Sequence, residues 1–414
     1  MENKAIFTIC AKNYLAQALA LKSSVEATNP GLDFYIFISD RAAEDDIPGL
    51  IYPDNSWLPG WEKMAFKYNV IEYSTSIKPF CINYLFNKYG KVVYLDPDIY
   101  VTADLTPIFE ELDVKDVMIT PHYCEIEEHY SGAVSEEEIL FVGIYNLGFL
   151  AIKNSEVGGK IVNWWMNRLA NKCYADKIDA LHVDQKWFDF IPAFFPDNVL
   201  ITHHLGINTA IWNLHERNLI IESDKFLVEN DKSGEKFPLL FFHFSGFNPK
   251  NPKLINRRHP KYNIDAFPTF RPLFRVYTDL VMKNGYERFV QIQYGFNVFN
   301  NTEKITPLHR RLFREVGESI ACDNPFDAKD SFYQILKENK LLTGVKISKT
   351  ESSNPNIIKT RDREINAGKA FLKFLKALMG IKYYNYLLVF FSEHHRLEKQ
   401  TIIISQKSLN KYQK

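Results

Sequence analysis

One stretch of the sequence decides the fold class: KVVYLDPD, residues 91–98. The apolar and aromatic residues at 92–95 predict a buried strand, and Asp96 and Asp98 follow where that strand ends. Ligands of open α/β sheets bind beyond the carboxyl ends of the strands. If the strand continues, both carboxylates lie on one side, where a hard cation can bind them and a diphosphate leaving group. The alternative is a plain acidic turn with Pro97 as turn former.

Strand and helix patterns alternate along the first part of the chain. Strands are predicted at 5–10, 34–39 and 92–95, with helices at 15–28, 64–68 and 78–89. The middle continues in the same way, with strands at 117–120, 145–152 and 239–244 and a helix at 158–173. This alternation predicts an α/β fold with a mixed, mostly parallel sheet and helices on both faces.

Composition excludes several classes of protein. The 414-residue chain has a formal net charge of zero, which argues against broad nucleic-acid binding. Its 5 cysteines are scattered and form no C-x-x-C pair, so neither a disulfide framework nor a zinc site is expected. No signal peptide and no membrane-spanning run is recognised. A location in the cytoplasm, or at the inner face of a membrane, is therefore predicted.

The domain organisation is predicted from changes in character along the chain. Residues 1–265 carry the α/β pattern, 266–347 are mainly helical, and 348–368 form a polar linker. Residues 369–414 form a basic, aromatic tail in which Lys369, Lys373, Lys376 and Lys382 accompany Phe, Leu and Tyr. Such a tail either lies on a membrane surface as an amphipathic helix or packs its apolar face on the main domain.

Four short motifs occur in a fixed order: DPD at 96–98, NLG at 146–148, DQ at 184–185 and HFSG at 243–246. Together they resemble the retaining nucleotide-sugar glycosyltransferases of the GT-A fold, similar to glycosyltransferase family 8, over about residues 4–260. The resemblance implies a Rossmann-like GT-A domain and a helical C-terminal extension outside it. It also implies a metal-dependent hexosyltransferase-like enzyme that uses a nucleotide-sugar donor of the UDP type and retains the anomeric configuration.

The resemblance assigns a metal and a diphosphate site. Asp96 and Asp98 contact the metal, with Asp96 also reaching the donor, and His243 matches the third metal ligand. An imidazole beside two carboxylates suits Mn²⁺ better than Mg²⁺, and Gly246 lets the backbone approach a phosphate. The family lysine that binds the diphosphate is replaced here by Pro249. Lys250, one residue later, and Lys78 are the candidate substitutes, the alternative for Lys78 being a solvated surface lysine.

The sugar-binding residues follow from the same resemblance. Asn146 matches an asparagine that reaches the donor sugar, and Asp184 and Gln185 match a pair beneath the transferred sugar. Groups of this kind stabilise the oxocarbenium-like transition state of glycosyl transfer. The alternatives are a turn or bulge at Asn146 and Gly148, and a helix N-cap at Asp184.

The nucleoside is expected at the end of the first strand. In the family this loop holds uracil and ribose, and here it contains Thr8, Ala11, Asn13 and Tyr14. Tyr14 is a candidate to stack on the base, whereas Asn13 either bonds the nucleoside or caps the helix that starts near residue 15. Asp40, at the end of the second strand, is a further candidate for the base edge.

The sequence therefore predicts transfer of a sugar to a glycan or lipid-linked acceptor in bacterial polysaccharide or glycan assembly. Residues 203–212, HHLGINTAIW, line the acceptor side or are structural. One alternative is a haloacid-dehalogenase-like phosphotransferase, which also carries D-x-D after an apolar strand. The other is an inactive sugar-nucleotide-binding scaffold subunit, favoured by the missing lysine motif.

Overall fold

The computed structural model describes residues 3–42, 47–259, 262–346 and 361–414. The chain forms two compact units. The first comprises Met1–Trp61 and Val70–Tyr294, and the second Glu62–Asn69 and Gly295–Lys414. Residues 266–294, which the sequence assigns to a helical extension, are thus grouped with the unit that carries the sheets. The domain boundaries at 265, 347 and 368 stay predictions.

The described residues form the following secondary structure. The strands are β1 Lys4–Cys10, β2 Asp33–Ile38, β3 Leu50–Ile51, β4 Lys91–Leu95, β5 Ile99–Val101, β6 Val117–Ile119, β7 Phe149–Lys153, β8 Ala175–Asp176, β9 Leu181–His182, β10 Val199–Ile201, β11 Thr209–Ala210, β12 Arg217–Glu222, β13 Lys225–Asn230, β14 Lys236–Pro238 and β15 Phe241–His243. The α-helices are α1 Leu15–Thr28, α2 Trp61–Lys67, α3 Val70–Ser76, α4 Lys78–Phe86, α5 Thr106–Val114, α6 Glu136–Val142, α7 Glu156–Leu169, α8 Ile191–Phe194, α9 Arg271–Lys283, α10 Tyr286–Phe289, α11 Pro307–Val316, α12 Ser331–Glu338, α13 Arg361–His394 and α14 Gln406–Lys411.

A seven-stranded sheet is the centre of the first unit, with strand order β10-β6-β7-β4-β1-β2-β3. β1 pairs in parallel with β2 and β4, β2 with β3, and β6 with β10. β7 alone among these strands runs antiparallel, against β4 and β6. The predicted mixed, mostly parallel sheet is confirmed.

β4 lies in the middle of this sheet and every residue of it is buried. Its alternate side chains enter two different layers. Val93 packs with Leu21 and Val25 of α1 on one face, whereas the ring of Tyr94 on the other face contacts Phe7 and has the Lys78 ammonium of α4 over it. Helices therefore cover both faces of the sheet, as the alternating pattern predicts.

A second, three-stranded sheet, β11-β15-β5, lies just beyond the end of β4. β5 pairs antiparallel with β15, so that Ile99 is opposite His243. β11 pairs in parallel with β15 and places Ala210 opposite His243. This small sheet pairs β5, which directly follows the two aspartates, with β15, which lies more than a hundred positions later in the sequence. The pairing explains why the distant His243 lies beside the two aspartates.

One sequence prediction about the chain path is corrected, and another falls mostly outside the described residues. The predicted strand at 145–152 begins only at Phe149, because the Asn146 side chain accepts a hydrogen bond from Gly148 N at 3.0 Å and forms a local turn. Most of the predicted linker at 348–368 lies outside the described residues, but its last part, residues 361–368, belongs to α13.

The second unit has a core of its own. Arg310 on α11 donates hydrogen bonds to the carbonyl oxygens of Ala65, Phe66 and Tyr68, and the Phe66 ring lies against four other aromatic rings, those of Phe299, Phe313, Phe326 and Phe332. α13 is interrupted at Gly380, whose φ of 73° is not helical. Among the described residues we find no helix long and apolar enough to cross a bilayer.

Candidate active site

The two aspartates lie in a tight turn between β4 and β5. Asp96 N donates to Gly148 O at 2.8 Å, and Ile99 N donates back to Asp96 O at 3.1 Å. The strand therefore ends at Leu95. Because it does not continue through Asp98, strand alternation does not place the two carboxylates on one side. The turn itself, with Pro97 in its middle, directs them instead, and Asp96 Oδ1 accepts a hydrogen bond from Tyr94 OH at 2.5 Å.

His243 completes a cluster with these carboxylates. Its Nε2 atom lies 3.1 Å from Asp98 Oδ1 and 3.5 Å from Asp96 Oδ2. The imidazole is 4% exposed, against 31% for the Asp96 side chain and 17% for Asp98, so the cluster opens to solvent on the carboxylate side. One ligand atom from each residue lies within 4.8 Å of the others, and no other group of three potential ligands of this kind is found in the described part of the chain.

The charges in this cluster depend on each other. Burial alone would raise the pKa of Asp98, but the nearby charge and hydrogen bond of His243 lower it below its usual value. Burial likewise disfavours the charged imidazole, yet Asp98, followed by Asp96, raises the pKa of His243. Two carboxylate oxygens and an imidazole nitrogen that converge in this way form a donor set suited to a divalent transition metal.

A buried ion pair lies next to the cluster. Lys78 Nζ is 2.5 Å from Asp184 Oδ2, and the two side chains are 1% and 3% exposed. Lys78 Nζ also donates to Leu147 O at 2.9 Å and lies 4.1 Å from the centre of the Tyr94 ring. Lys78 is therefore not the solvated surface lysine of the alternative interpretation. Burial raises the pKa of Asp184 even though Lys78 opposes that shift.

Asp184 and Gln185 begin a 3₁₀ helix, residues 185–190, but the Asp184 side chain makes no capping hydrogen bond there. The helix-cap alternative for Asp184 is wrong. The amide of Gln185 binds backbone on both sides: Oε1 accepts from Leu147 N and Nε2 donates to Val142 O, both at 3.0 Å. Lys78, Asp184 and Gln185 thus surround the turn at 146–148, which in turn holds Asp96.

Asn146 is 8% exposed and its amide is engaged by the protein. Its Oδ1 accepts from Gly148 N and from Asn208 Nδ2, both at 3.0 Å, while its Nδ2 lies 3.3 Å from His122 Nε2. The turn alternative for Asn146 and Gly148 is confirmed as local structure. Gly148 has no room for a side chain, because a Cβ atom there would lie 2.4 Å from the His243 ring.

The predicted nucleoside residues lie along the same edge of the sheet. Thr8 and Ala11 are buried, and Thr8 Oγ1 has no hydrogen-bond partner among the described residues. Asn13 and Tyr14 are half-buried in a short 3₁₀ helix, residues 12–14, and α1 begins without a side-chain cap, so the helix-cap alternative for Asn13 is wrong. Burial, and then the charge of Asp98, raise the pKa of Tyr14.

Of the remaining predicted residues, Asp40 and Gly246 are enclosed by the protein, whereas Lys250 is on the surface. Asp40 is buried after β2, and its carboxylate accepts from Arg41 N at 2.8 Å. Gly246 has a φ of 69° and directly contacts the Asn256 side chain, which leaves no space for a Cβ atom. Lys250, by contrast, is exposed and its Nζ pairs with Glu287 at 2.6 Å.

Two arginines that sequence reasoning missed lie on the loop beside Gly246. Arg257 N donates to Gly246 O at 3.0 Å, and Arg258 N donates to the side chain of Asn256 at 2.6 Å. Both side chains are exposed, and the charge of Arg258 contributes to lowering the pKa of Asp98. The available sequence signal was the basic run at 257–259, shortly after the family lysine position.

The segment at 203–212 also contributes to the site. Asn208 Oδ1 lies 3.1 Å from His243 Nδ1, and the Trp212 ring meets the His243 ring edge-on at 5.1 Å between centroids. His204 instead makes a local contact, accepting from Gly206 N at 3.2 Å. The sequence singled out this segment, but not the contact between Asn208 and His243.

Comparison with known proteins gives distant similarities. No family model matches the chain. The chain is 24% identical over 271 residues to the uncharacterized protein YfnF of Bacillus subtilis (strain 168), covering 63% of this chain and 87% of YfnF. It is 23% identical over 192 residues to the uncharacterized protein YfnD of the same strain, covering 45% and 57%.

Similar solved structures include the galactosyltransferase LgtC in complex with donor and acceptor sugar analogs, with a TM-score of 0.40, 16% identity and coverage of 67% of this chain and 95% of LgtC. The bifunctional glycosyltransferase WbbM has a TM-score of 0.40 at 15% identity, covering 70% of this chain and 51% of WbbM. GlyE of Streptococcus pneumoniae TIGR4 has a TM-score of 0.37 at 16% identity, covering 75% and 74%.

Proposed function

We propose that the protein is a metal-dependent glycosyltransferase that moves a sugar from a nucleotide-sugar donor, of the UDP type, to an acceptor hydroxyl with retention. The observation that carries this proposal is the convergence of Asp96, Asp98 and His243 within 4.8 Å at the carboxyl end of the central strand β4. This is the position at which open α/β sheets bind nucleotides. It is also where a diphosphate and a cation can meet.

Asp96, Asp98 and His243 are the residues that would hold Mn²⁺, or Mg²⁺ in its place. When bound, the cation supplies positive charge that stabilises the departing diphosphate. We propose that Arg257 and Arg258 add to this charge, because they lie on the loop attached to Gly246 and because Lys250 and Lys78 pair with Glu287 and Asp184. The two arginines thereby take the place of the lysine that the family carries.

The nucleoside is assigned to the ends of β1 and β2. Tyr14 is the candidate to stack on the base, since it lies within electrostatic range of Asp98 and is half-buried. Asn13 is a polar residue on the same short helix, and Thr8, Ala11 and Asp40 at the ends of these strands are buried. An aromatic face with a few polar groups is the usual composition of a base-binding pocket.

The sugar is assigned to the side of the turn at 146–148. Gln185 contacts that turn and Asn146 belongs to it, whereas Asp184 is linked to it through Lys78, which donates to Leu147 O. We propose that the Asp184 carboxylate, one oxygen of which pairs with Lys78, faces the transferred sugar. Gln185 and Asn146 shape this wall, because their amides bind the backbone at Leu147 and Gly148. A dipolar, water-poor wall of this kind stabilises charge that develops at the anomeric carbon.

The acceptor and the cellular setting stay proposals from the sequence: a glycan or a lipid-linked acceptor, in bacterial surface-glycan assembly, in the cytoplasm at a membrane face. The exposed apolar side chains of α13 support a membrane contact. Phe371, Phe374 and Leu378 are 59%, 60% and 71% exposed, on a helix that carries lysines. A helix of this composition lies in the interface of an anionic membrane.

A panel of nucleotide sugars tests the proposed function. Thermal shift with Mn²⁺ identifies a donor, since a ligand that binds the folded state raises the melting temperature. Release of UDP from that donor then measures turnover. We expect the wild type to release UDP and D98N to be inactive, with K250Q as the control that changes an exposed charge outside the cluster. A donor that binds without turnover would indicate the inactive scaffold subunit, and release of phosphate from a simple aryl phosphate the phosphotransferase.

A further inference from the structure

A chain of buried amide side chains lies behind His243, on the side away from the carboxylates. Asn208 is 1% exposed, and its Oδ1 lies 3.1 Å from His243 Nδ1. The other ring nitrogen of His243 faces Asp98 and Asp96. Asn208 thus faces one ring nitrogen of His243 and the two carboxylates face the other.

The direction of every hydrogen bond in this chain can be derived from its far end. Gly148 N can only donate, so the atom of Asn146 that it meets at 3.0 Å is the oxygen, Oδ1. Asn146 Nδ2 must then donate to His122 Nε2, 3.3 Å away. His122 satisfies this condition, because its Nδ1–H donates to Ile144 O at 3.0 Å and leaves Nε2 as the acceptor.

The same logic fixes the orientation of Asn208. The oxygen of Asn146 can only accept, so the group of Asn208 that faces it at 3.0 Å is the Nδ2 amide, which also donates to Thr120 Oγ1 at 3.1 Å. The remaining atom, Oδ1, faces His243 and must accept from it. His243 Nδ1 consequently carries a proton, and Nε2 is the nitrogen that faces the two carboxylates.

The backbone of Asn208 is held as firmly as its side chain. Its φ of 57° lies in the left-handed region, which asparagine adopts more readily than most residues. Asn213 Nδ2 donates to Asn208 O at 3.1 Å and to His122 O at 3.0 Å, which joins both ends of the chain of amides. Few residues other than asparagine meet both the backbone and the hydrogen-bonding requirement at this position.

We propose that Asn208 is a positioning residue that holds His243 in the tautomer protonated on Nδ1, and so presents Nε2 to a divalent cation together with Asp96 and Asp98. This inference rests on the metal-dependent function proposed above. Hydrogen bonds from the second nitrogen of a metal-binding histidine orient the ring and increase its affinity for the metal. Asn208 would serve that purpose here with an amide oxygen.

The test combines a spectroscopic measurement with metal binding. Nitrogen-15 NMR of the histidine rings in the full-length protein saturated with the diamagnetic cation Zn²⁺ reports which ring nitrogen carries a proton, and H243A assigns the signal. We expect the Nδ1–H tautomer in the wild type. N208G removes the acceptor while tolerating the backbone angle, and we expect it to bind Mn²⁺ about 10- to 100-fold more weakly by calorimetry.

T120V is the matched control, since it removes one hydrogen bond of Asn208 but leaves the contact with His243. We expect it to keep both the tautomer and the affinity for Mn²⁺. An Nε2–H tautomer in the Zn²⁺-saturated wild type, or wild-type Mn²⁺ affinity in a folded N208G, would overturn the proposal. The first of these needs no variant, so it decides the matter even if N208G does not fold. Failure of the wild type to bind Mn²⁺ would instead reject the metal-dependent function itself.

Discussion

Lys78 Nζ lies 2.5 Å from Asp184 Oδ2, although only 1% and 3% of the two side chains are exposed. This ion pair connects the first turn of α4 to the start of the 3₁₀ helix at 185–190, and Lys78 adds a bond to Leu147 O. Charges so far from water are stable only as a pair. The pair thus fixes the wall of the site that is assigned to the sugar.

Removal of either partner should destabilise the protein. We expect K78M and D184N each to lower the free energy of unfolding by about 3–5 kcal/mol, because each leaves a buried charge without its partner. The double variant K78M/D184N should lose less than the sum of the two. Urea unfolding followed by circular dichroism measures all three. Additive losses would mean that the two side chains do not interact in solution.

Substitution of Asp184 should affect donor turnover and nucleotide binding to different extents. We expect D184N to weaken donor turnover far more than it weakens UDP binding, because the residue is assigned to the sugar rather than to the diphosphate. Calorimetric titration with UDP and steady-state UDP release separate the two effects. D189N, within the 3₁₀ helix that follows Asp184, serves as the control. Equal loss of both properties would reassign Asp184 to structure alone.

Metal dependence should follow the cluster at the end of β4. We expect D96N, D98N and H243A to lower Mn²⁺-dependent donor turnover by about a hundredfold or more, since each removes a ligand to a charge that stabilises the leaving group by several kcal/mol. Chelation of the wild type with EDTA should have the same effect, reversed by added Mn²⁺. Full activity of D96N or D98N would exclude the metal site, whereas full activity of H243A would restrict it to the carboxylates.

The two missed arginines lead to a prediction about the diphosphate. We expect R257Q and R258Q to weaken UDP binding by about 1.5–3 kcal/mol each, the range for a hydrogen bond to a charged group, and to leave uridine binding unchanged. K250Q should bind UDP normally, because Lys250 is paired with Glu287. Calorimetry with UDP and uridine distinguishes the cases. A loss of UDP affinity in K250Q alone would indicate that Lys250, and not the two arginines, binds the diphosphate.

The sequence predicts those features that depend on local pattern. The buried strand at 92–95 follows from an uninterrupted apolar run and the helix at 15–28 from apolar residues at helical spacing, and the structure has β4 and α1 at these positions. The strand predicted at 145–152 is wrong at its start, because a polar side chain, Asn146, competes for the backbone there. Apolar periodicity does not register such a local hydrogen bond.

The site itself was predictable only as a set of separate motifs. The resemblance placed Asp96, Asp98 and His243 in one site, but neither their distances nor the partners behind them. The pairing of Lys78 with Asp184 spans 106 positions, and that of Asn208 with His243 spans 35. Contacts of this range depend on which elements the fold brings together, and a single sequence does not record them.

The prediction for the C-terminal helix is refined by the structure. Residues after α13 contact α12 within the second unit: Lys411 Nζ pairs with Glu338 at 2.5 Å, and Ser408 Oγ donates to Glu338 at 2.7 Å. A truncation at residue 348 that is meant to test membrane binding by α13 would remove these contacts as well. Substitutions within α13 are therefore the sharper test of membrane binding. Lys369, Lys373 and Lys376 recur at i, i+4 and i+7 and therefore share one helix face.

We expect K369Q/K373Q/K376Q to weaken binding to anionic vesicles by about 3 kcal/mol, since each lysine near such a surface contributes about 1 kcal/mol. F371S/F374S should also weaken it, because both rings are exposed in the free protein and would enter the membrane interface. K22Q/K160Q/K236Q carries the same charge change on exposed lysines of the first unit and should bind like the wild type. Sedimentation with vesicles of phosphatidylserine and phosphatidylcholine at low and high salt measures each case, and binding of the wild type should fall as salt rises. If the full-length wild type ignores vesicles at low salt, or if both triple variants bind equally, the lysine face of α13 has no membrane role.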